Sequence, residues 1–364
     1  MTKVDSSDTA VRATPQTLAA VKGLHVVRLA GGRLSIRIRT RTVWVVGALT
    51  VFTLALAVLA VTLGEFPIAP GDVFAVFTGH GSASIQRIVL EWRAPRIVLA
   101  ILAGAALALS GAIFQSLTRN PLGSPDILGF SHGAYTGALI VMFVIGGNYV
   151  ATSIGAFVGG VATAAVVYFL SFRNGVQGFR LIVIGIAVSA FLVALNGWFI
   201  ISVDVNSAIS AATWATGSFD LSTWNDVLPV LGTIVVLVPV LAMYSQRLHT
   251  LELGDDAAIG LGVRAEPTRL VLLLVGVALV AVVTAAAGPI SFVALAAPQI
   301  ARRLTRSPGT ALLPSALLGA ALMLGSDVIA QRVIAPTQLP VGIITVIIGG
   351  IYLIALLAAQ SRKA

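Results

Sequence analysis

The chain has 364 residues, 57% of them hydrophobic and only 10% charged, with a formal net charge of +9. A soluble domain carries about 25% charge, and here apolar runs of 18 or more residues recur, so the composition is that of a polytopic membrane protein. With no cysteine, the chain has no disulfide framework, no zinc–thiolate site and no cysteine-ligated iron–sulfur cluster.

Residues 1–41 begin polar (MTKVDSSDTA), without the pattern of a secretory signal peptide, and end basic (RLSIRIRTRT). Lys3, Arg12, Lys22, Arg28, Arg33, Arg37, Arg39 and Arg41 read as a cytoplasmic tail on anionic lipid headgroups. No aromatic or motif context accompanies these charges, which argues against nucleic-acid binding. Span 1 is predicted over Thr42–Leu63, and a polar segment, Gly64–Trp92, follows. Arg93 and Arg96 then open span 2, whose uncharged run from Ile97 to Thr118 makes a helix about 30 Å long, the thickness of the hydrocarbon core. Gly104, Ala105, Ala106, Ser110 and Gly111 let other helices approach closely, so this span belongs inside a bundle. Arg119-Asn120-Pro121 stops it.

Spans 3 and 4 are predicted over Ile127–Ile145 and Val150–Phe172, with Gly146-Gly147-Asn148 as their turn. A short polar loop (Phe172–Arg180) leads to span 5, Leu181–Val203. The segment Asp204–Asp226, with Trp214 and Trp224, suits a membrane–water interface. Span 6 covers Val227–Tyr244, and Gln246–Arg269 is a polar loop. The run Leu270–Ala301 is long for one span and short for two. It is flanked by Arg264 and Arg269 on one side and Arg302, Arg303 and Arg306 on the other, so it crosses twice and turns at Gly288-Pro289. The second crossing is short, with Pro298 near its end. Spans 9 and 10 are Ala311–Ser326 and Val341–Ala359. Ten spans with both termini inside put nineteen of the 23 Lys and Arg on the cytoplasmic side and leave Arg87, Arg93, Arg96 and Arg332 outside. The segments Leu117-Thr118-Arg119-Asn120-Pro121 and Leu304-Thr305-Arg306-Ser307-Pro308 resemble each other. Both follow outside-to-inside helices, so the match is parallel and does not support an inverted repeat.

The chemistry is sparse. The only lysines are Lys3, Lys22 and Lys363, none in a phosphate-binding G-x-x-x-x-G-K-[ST] loop, so ATP hydrolysis by that route is excluded. No predicted span carries Asp, Glu, Lys or Arg in its interior, which argues against a proton-driven carrier. His25, His80, His132 and His249 lack metal-ligand spacing and read as solvated or packing residues; no cofactor and no catalytic constellation is expected. Three candidate sites remain. Arg93, Arg96 and Arg332 either snorkel at the outer interface or dock an acidic partner. The inside loop at 251–269 is either a solvated loop or a rigid knob gripped by another protein, a short helix that Asp255 can cap and that Gly260 and Gly262 can end before another begins. Gly185, Ser189, Asn196 and Gly197 on span 5, and Gly342, Thr345, Gly349 and Gly350 on span 10, either line a pathway or fill helix contacts.

These residues carry a resemblance. RAPR at 93–96, GAALALSGAIFQSLTRNPLGSPDILGFSHGA at 104–134, LGDDAAIGLGV at 253–263, GPISFVALAAPQIARRL at 288–304, LPSALLGA followed by Asp327, and QLPVGIITVIIGG at 338–350 resemble, in order, the FecCD-type permeases of ATP-binding-cassette importers for iron–siderophore complexes, haem and cobalamin. The match spans nearly all of residues 42–359. It implies an all-α, ten-helix permease of the type II importer fold in the bacterial inner membrane; charge sorting adds 1–41 as a basic cytoplasmic tail and 360–364 as a cytoplasmic C-terminus. It implies no enzyme activity in this chain, ATPase subunits as partners, a second permease and a substrate-binding protein. By the resemblance, Arg93, Arg96 and Arg332 dock the binding protein. Leu253, Gly254, Asp255, Ala257, Gly260, Leu261 and Gly262 seat in the ATPase, and Gly185, Ser189, Asn196 and Thr345 line the pathway at a dimer interface. Pro298-Gln299 departs from the family's usual Pro-His, and Gly349-Gly350-Ile351 from its G-x-P. The Pro-Gln form is similar to one half of ferric-catecholate heterodimers, which implies a non-identical partner; the leading cargo, from the family as a whole, is an iron–siderophore complex. A homodimer, a cobalamin or haem cargo, and a self-sufficient channel or secondary carrier are the alternatives.

Overall fold

The structure, a computed structural model, describes residues 24–29, 34–64, 66–172 and 178–361; Lys3, Arg12, Lys22, Arg33, most of the loop between spans 4 and 5, and Arg362-Lys363 lie outside the described residues. Leu24–Leu29 (β1) and Leu34–Arg39 (β2) pair antiparallel, with Leu24 opposite Arg39 and Leu29 opposite Leu34. The basic-tail expectation contained no strands. The alternation Ser35-Ile36-Arg37-Ile38-Arg39 is the period-two signal for one.

β2 runs into α1 (Thr40–Thr62). After α2 (Pro70–Phe77), α3 (Ala83–Arg87) continues through a π-helical stretch, Ile88–Arg93, into α4 (Ala94–Thr118). Then come α5 (Phe130–Ile140, prolonged by a π-helical turn to Ile145), α6 (Tyr149–Ser171), α7 (Gly178–Ser202), α8 (Val205–Ala215) and α9 (Trp224–Glu252). The last elements are α10 (Asp255–Gly260), α11 (Ala265–Ala287), α12 (Val293–Thr305), α13 (Leu312–Arg332) and α14 (Val341–Ser361). Among the described residues, seven helices are long and apolar enough to cross a membrane: α1, the continuous α3–α4 unit, α6, α7, α9, α11 and α13. Two shorter apolar helices, Phe130–Ile145 and Val341–Ala355, join them. The chain is a multi-pass, mostly helical membrane protein.

The boundaries differ from the predicted spans for local reasons. The polar segments hold helices of their own: Pro70 and Asp72 open α2, and the Asp204 carboxylate accepts the Asn206 and Ser207 N–H groups at the start of α8. A reciprocal Thr223–Asp226 cap starts α9 before Val227, and Pro229 and Pro239 lie inside that helix. The run 270–301 divides at Gly288, whose φ is +74°. Pro298, predicted near the end of the second crossing, instead lies in the middle of α12, which continues to Thr305. At 13 residues α12 is about 20 Å long, shorter than the hydrocarbon core. Helices also outrun their apolar cores: Asp327 falls inside α13, and Glu266 and Arg269 inside α11. The expectation of charge-free spans is corrected to that extent.

Contacts sort the helix ends into two sets. Arg39 Nη1 donates to Arg306 O (2.7 Å) and Arg41 Nε to Leu304 O (2.6 Å), so the starts of α1 and α13 share an end with the close of α12. Arg119 reaches Asp255 of α10 at that same arginine-rich end. At the opposite end Arg332 Nη2 donates to Gly64 O (2.9 Å), Ser218 N–H to Ala287 O and Gly342 N–H to Gly217 O.

α4 is the axis of the bundle and is buried around nearly its whole circumference from Leu99 to Thr118. Gly104 and Gly319 of α13 face each other so closely that a Cβ on either would overlap the other's carbonyl oxygen. Gly111 stands in the same relation to Ala294 of α12. Ser110 Oγ donates to Gly276 O of α11 (2.7 Å), and Gln115 Nε2 to Leu295 O of α12 (2.9 Å). We expect Gly104→Leu to destabilise the detergent-solubilised protein by about 1–3 kcal/mol or more through overpacking. Gly47→Leu in α1, where a Cβ meets nothing within 4 Å, serves as the control and leaves stability unchanged. Thermal unfolding of the two variants checks this, and equal melting temperatures would contradict it.

Candidate functional site

The three predicted docking arginines cluster at one end of the bundle but hold different positions. Arg96 is largely internal. Its Nε and Nη2 bind the two oxygens of Asp327 at 3.0 Å each, and its Nη1 bonds Asp220 and Gln338 at 2.8 Å each. The Arg96 side chain is 13% exposed and that of Asp327 only 1%, and Gln331 Nε2 also donates to Asp327. This guanidinium therefore ties α4 and α13 to the loops at 216–223 and 333–340. Arg93 is half-buried and donates to the carbonyls of Val61 and Phe66, while exposed Arg332 donates to Gly64 O. Arg93 and Arg332 thus converge on the α1–α2 connection from two distant parts of the chain. A Cβ on Gly64 would collide with the Arg93 guanidinium, so a glycine lets the two cations close on one stretch of backbone. Arg87 pairs with Glu91 at 3.8 Å. The partners of Arg96 were not found from the sequence; the usable signal was Asp327, an acid at the same end of an otherwise apolar span.

At the arginine-rich end, the predicted short helix exists as α10. Gly254 (φ +115°) precedes it and Gly262 (φ +81°) follows it, both in backbone conformations that side chains resist. Asp255 lies in its first turn and accepts from Arg119 Nη2 (2.6 Å) and Arg269 Nη2 (2.8 Å). Arg269, 4% exposed, also binds Glu266. Ala258 packs inward, whereas Leu253, Ile259 and Leu261 are more than 60% exposed, and Ala257 and Gly260 are exposed beside them. The result is a knob fixed at its base by ion pairs, with exposed Leu253, Ile259 and Leu261 beside exposed Asp256 on its outer side.

The four pathway candidates face inward. A Cβ on Gly185 would strike Leu128, Ser189 lies against Gly129, and Asn196 bonds Thr136 Oγ1 and the His132 carbonyl. Thr345 is 3% exposed and donates to Gly342 O. Gly185, Ser189 and Asn196 therefore make the α5–α7 contact. Asn196 also borders a cavity of about 320 Å³ lined by Asp126, Ser131, His132, Tyr135 and Ser291. The faces left free are others: Ala187, Ala190, Ala194 and Gly197 on α7, and Ile343, Ile347, Ile351 and Ile354 on α14. Helical periodicity alone does not say which face of α7 or α14 packs against neighbouring helices.

Residues 51–359 match the FecCD transport family. The chain is 47% identical over 300 residues to the ferric enterobactin transport system permease protein FepG of Escherichia coli (strain K12), covering 82% of this chain and 91% of that protein. It is 36% identical to the iron(3+)-hydroxamate import system permease protein FhuG of Bacillus subtilis (strain 168), over 82% of this chain and 92% of that one. To the Fe(3+) dicitrate transport system permease protein FecD of Escherichia coli (strain K12) it is also 36% identical, over 85% and 98%. A solved chain reported as an inward-facing metal-chelate type ABC transporter superposes with a TM-score of 0.76 at 28% identity, over 88% of this chain and 99% of that one.

Removing one member of a buried pair leaves the other charge unsatisfied. Arg96→Met, which strips the 1%-exposed Asp327 carboxylate of its counter-charge, should therefore cost about 3–5 kcal/mol of stability, while a paired Arg96→Met/Asp327→Leu change recovers most of it. Chemical denaturation of the two variants and the parent measures this; a single variant as stable as the parent would contradict the buried-pair assignment.

Proposed function

Because the chain belongs to the FecCD transport family, we propose that it is the permease subunit of an ATP-driven importer that carries iron–siderophore complexes across the bacterial inner membrane. α5, α12 and α14 join the seven long helices to make ten crossings, with both termini in the cytoplasm. The arginine-rich end is then the cytoplasmic one, as charge sorting requires. Residues 1–41 form a tail, 42–359 the permease domain and 360–364 the C-terminus. The free faces of α7 and α14 pair with a second permease subunit, a non-identical one, and enclose the pathway between them. FepG, FhuG and FecD are named for ferric chelates of different chemistry, and the higher identity to FepG favours a cargo like ferric enterobactin.

The observation that carries this reading is α10. Exposed Leu253, Ile259 and Leu261 on a rigid cytoplasmic knob have no use in water and no lipid to meet. They suit the cleft of a separate ATPase subunit, which supplies the energy this chain lacks the residues to harvest. A Cβ on Gly260 meets nothing within 4 Å, so Gly260→Trp leaves the permease folded yet blocks the seat. In proteoliposomes holding the permease pair, the ATPase and the binding protein, ferric-chelate uptake should require ATP and fall at least about tenfold in Gly260→Trp. Uptake by this chain alone, driven by a proton gradient, would overturn the assignment.

At the periplasmic end, Arg93 and Arg332 form a positive rim for acidic residues of the binding protein, and Arg96 holds that rim in place from below. Arg332 is exposed, so its reversal tests docking with little effect on the core. Arg332→Glu should cost about 1–3 kcal/mol of binding-protein association and weaken its salt dependence. Association rates at low and high salt measure this; unchanged affinity and salt dependence would leave Arg332 as an interfacial anchor only.

A further inference from the structure

The paired sequence segments Leu117–Pro121 and Leu304–Pro308 close α4 and α12 in the same way. Arg119 has φ 50° and ψ 34°, and Arg306 has φ 51° and ψ 34°. The N–H of Asn120 bonds Gln115 O while that of Arg119 bonds Ser116 O; Ser307 bonds Arg302 O while Arg306 bonds Arg303 O. Each is a left-handed helix stop built on a non-glycine residue. Between the two stops lies a cavity of about 650 Å³ that opens at the arginine-rich end beside the α9–α10 connection.

The cavity is charged unevenly. Arg119, Arg302 and Arg303 line it against a single carboxylate, Glu252. That carboxylate is already held by the hydroxyls of Ser116 and Thr310, and Arg119 is tied to Asp255. Among the described residues, neither Arg302 nor Arg303 has a carboxylate within salt-bridge distance. Their contacts are weak: Arg302 Nη2 lies 3.4 Å from Pro308 O, and the Arg303 guanidinium lies 6.0 Å from the Tyr352 ring centroid. Two cations at a helix C-terminus are favourable in themselves. Here they border an open polar cavity whose rim is Leu253, 69% exposed and continuous with the knob.

We propose that this cavity is a socket for an acidic side chain of the ATPase subunit, whose carboxylate enters between Arg302 and Arg303 while α10 seats in that subunit's apolar cleft. The inference rests on reading α10 as the ATPase knob. Docking then has two unlike parts, an apolar knob that supplies buried area and a cationic socket that sets register and partner choice. The socket also gives the ATPase a grip on α12, whose other end packs Phe292 against Gly349 of α14.

The test uses the assembled permease pair in nanodiscs and its cognate ATPase subunit, with association measured at low and high salt. Arg302→Gln/Arg303→Gln should weaken association about tenfold at low salt and flatten its salt dependence, and Arg302→Glu/Arg303→Glu should weaken it further. One Asp or Glu to Arg change in the ATPase, found by scanning its acidic residues beside the cleft, should restore binding to the reversed permease. The chain has no cysteine, so a single introduced cysteine reports orientation, and its unchanged labelling shows that the variants insert correctly. Leu261→Asp is the control for the knob. If Leu261→Asp associates normally, the reading of α10 fails. If Leu261→Asp loses the ATPase but both arginine pairs bind it with parental affinity and salt dependence, the socket is overturned and the knob stands. Altered cysteine labelling with intact association would mark Arg302 and Arg303 as topology anchors. Saturable binding of inorganic phosphate to the permease alone, without any effect of the substitutions on the ATPase, would assign the cavity to a free anion; either result overturns the proposal.

Discussion

The bundle depends on backbone touching backbone around α4. In a bilayer, lipid tails are as apolar as leucine, so helices gain little by hiding hydrophobic side chains from one another. They associate where small residues let main chains meet and where buried polar groups find partners. Gly104 against Gly319 and Gly111 against Ala294 bring α13 and α12 onto α4, and Ser110 and Gln115 add bonds to the carbonyls of Gly276 and Leu295. The rest of the chain is arranged outward from this axis, and the outer helices, α1, α7, α9 and α14 among them, are left with exposed apolar faces.

Charge follows the same logic at the two ends. Deep within the helices an ionised group persists only with a partner, as Arg96 does with Asp327, and Arg269 with Asp255 and Glu266. At the ends, arginines are spent on carbonyls left over where helices stop. Arg39 and Arg41 close the C-terminus of α12, and Arg93 and Arg332 hold the α1–α2 connection. Arg302 and Arg303 stand outside this pattern, because a cavity rather than a carboxylate or a tight backbone bond faces them.

Much of the scaffold was legible because membrane helices announce themselves by length and apolarity. Positive flanks pointed to two helices within 270–301 and Gly288-Pro289 to the turn between them, and Asp255 with Gly260 and Gly262 pointed to a short helix. Boundaries were less legible where a cap or an interfacial turn extends a helix beyond its apolar core, as at Thr223 and Asp327. The β1–β2 hairpin was hidden by a charge pattern that suits a solvated tail equally well. For Gly185, Ser189, Asn196 and Thr345 small and polar character suits a pathway and a helix contact alike, and within this chain the four pack against neighbouring backbone and side chains.

The sequence by itself determined that this is a many-helix membrane protein, which end of each helix carries the arginines, and which ordered motifs tie it to a transport family. These are properties of single segments, set by the cost of placing charge or unpaired backbone in lipid. Only the tertiary structure decided that Arg96 is internal while Arg332 is exposed, that α12 is a short helix gripped by α4, and that two matching helix stops enclose one cationic cavity. Each of these depends on residues more than a hundred positions apart meeting in space, and no local pattern of apolarity, charge or turn residues encodes such a meeting.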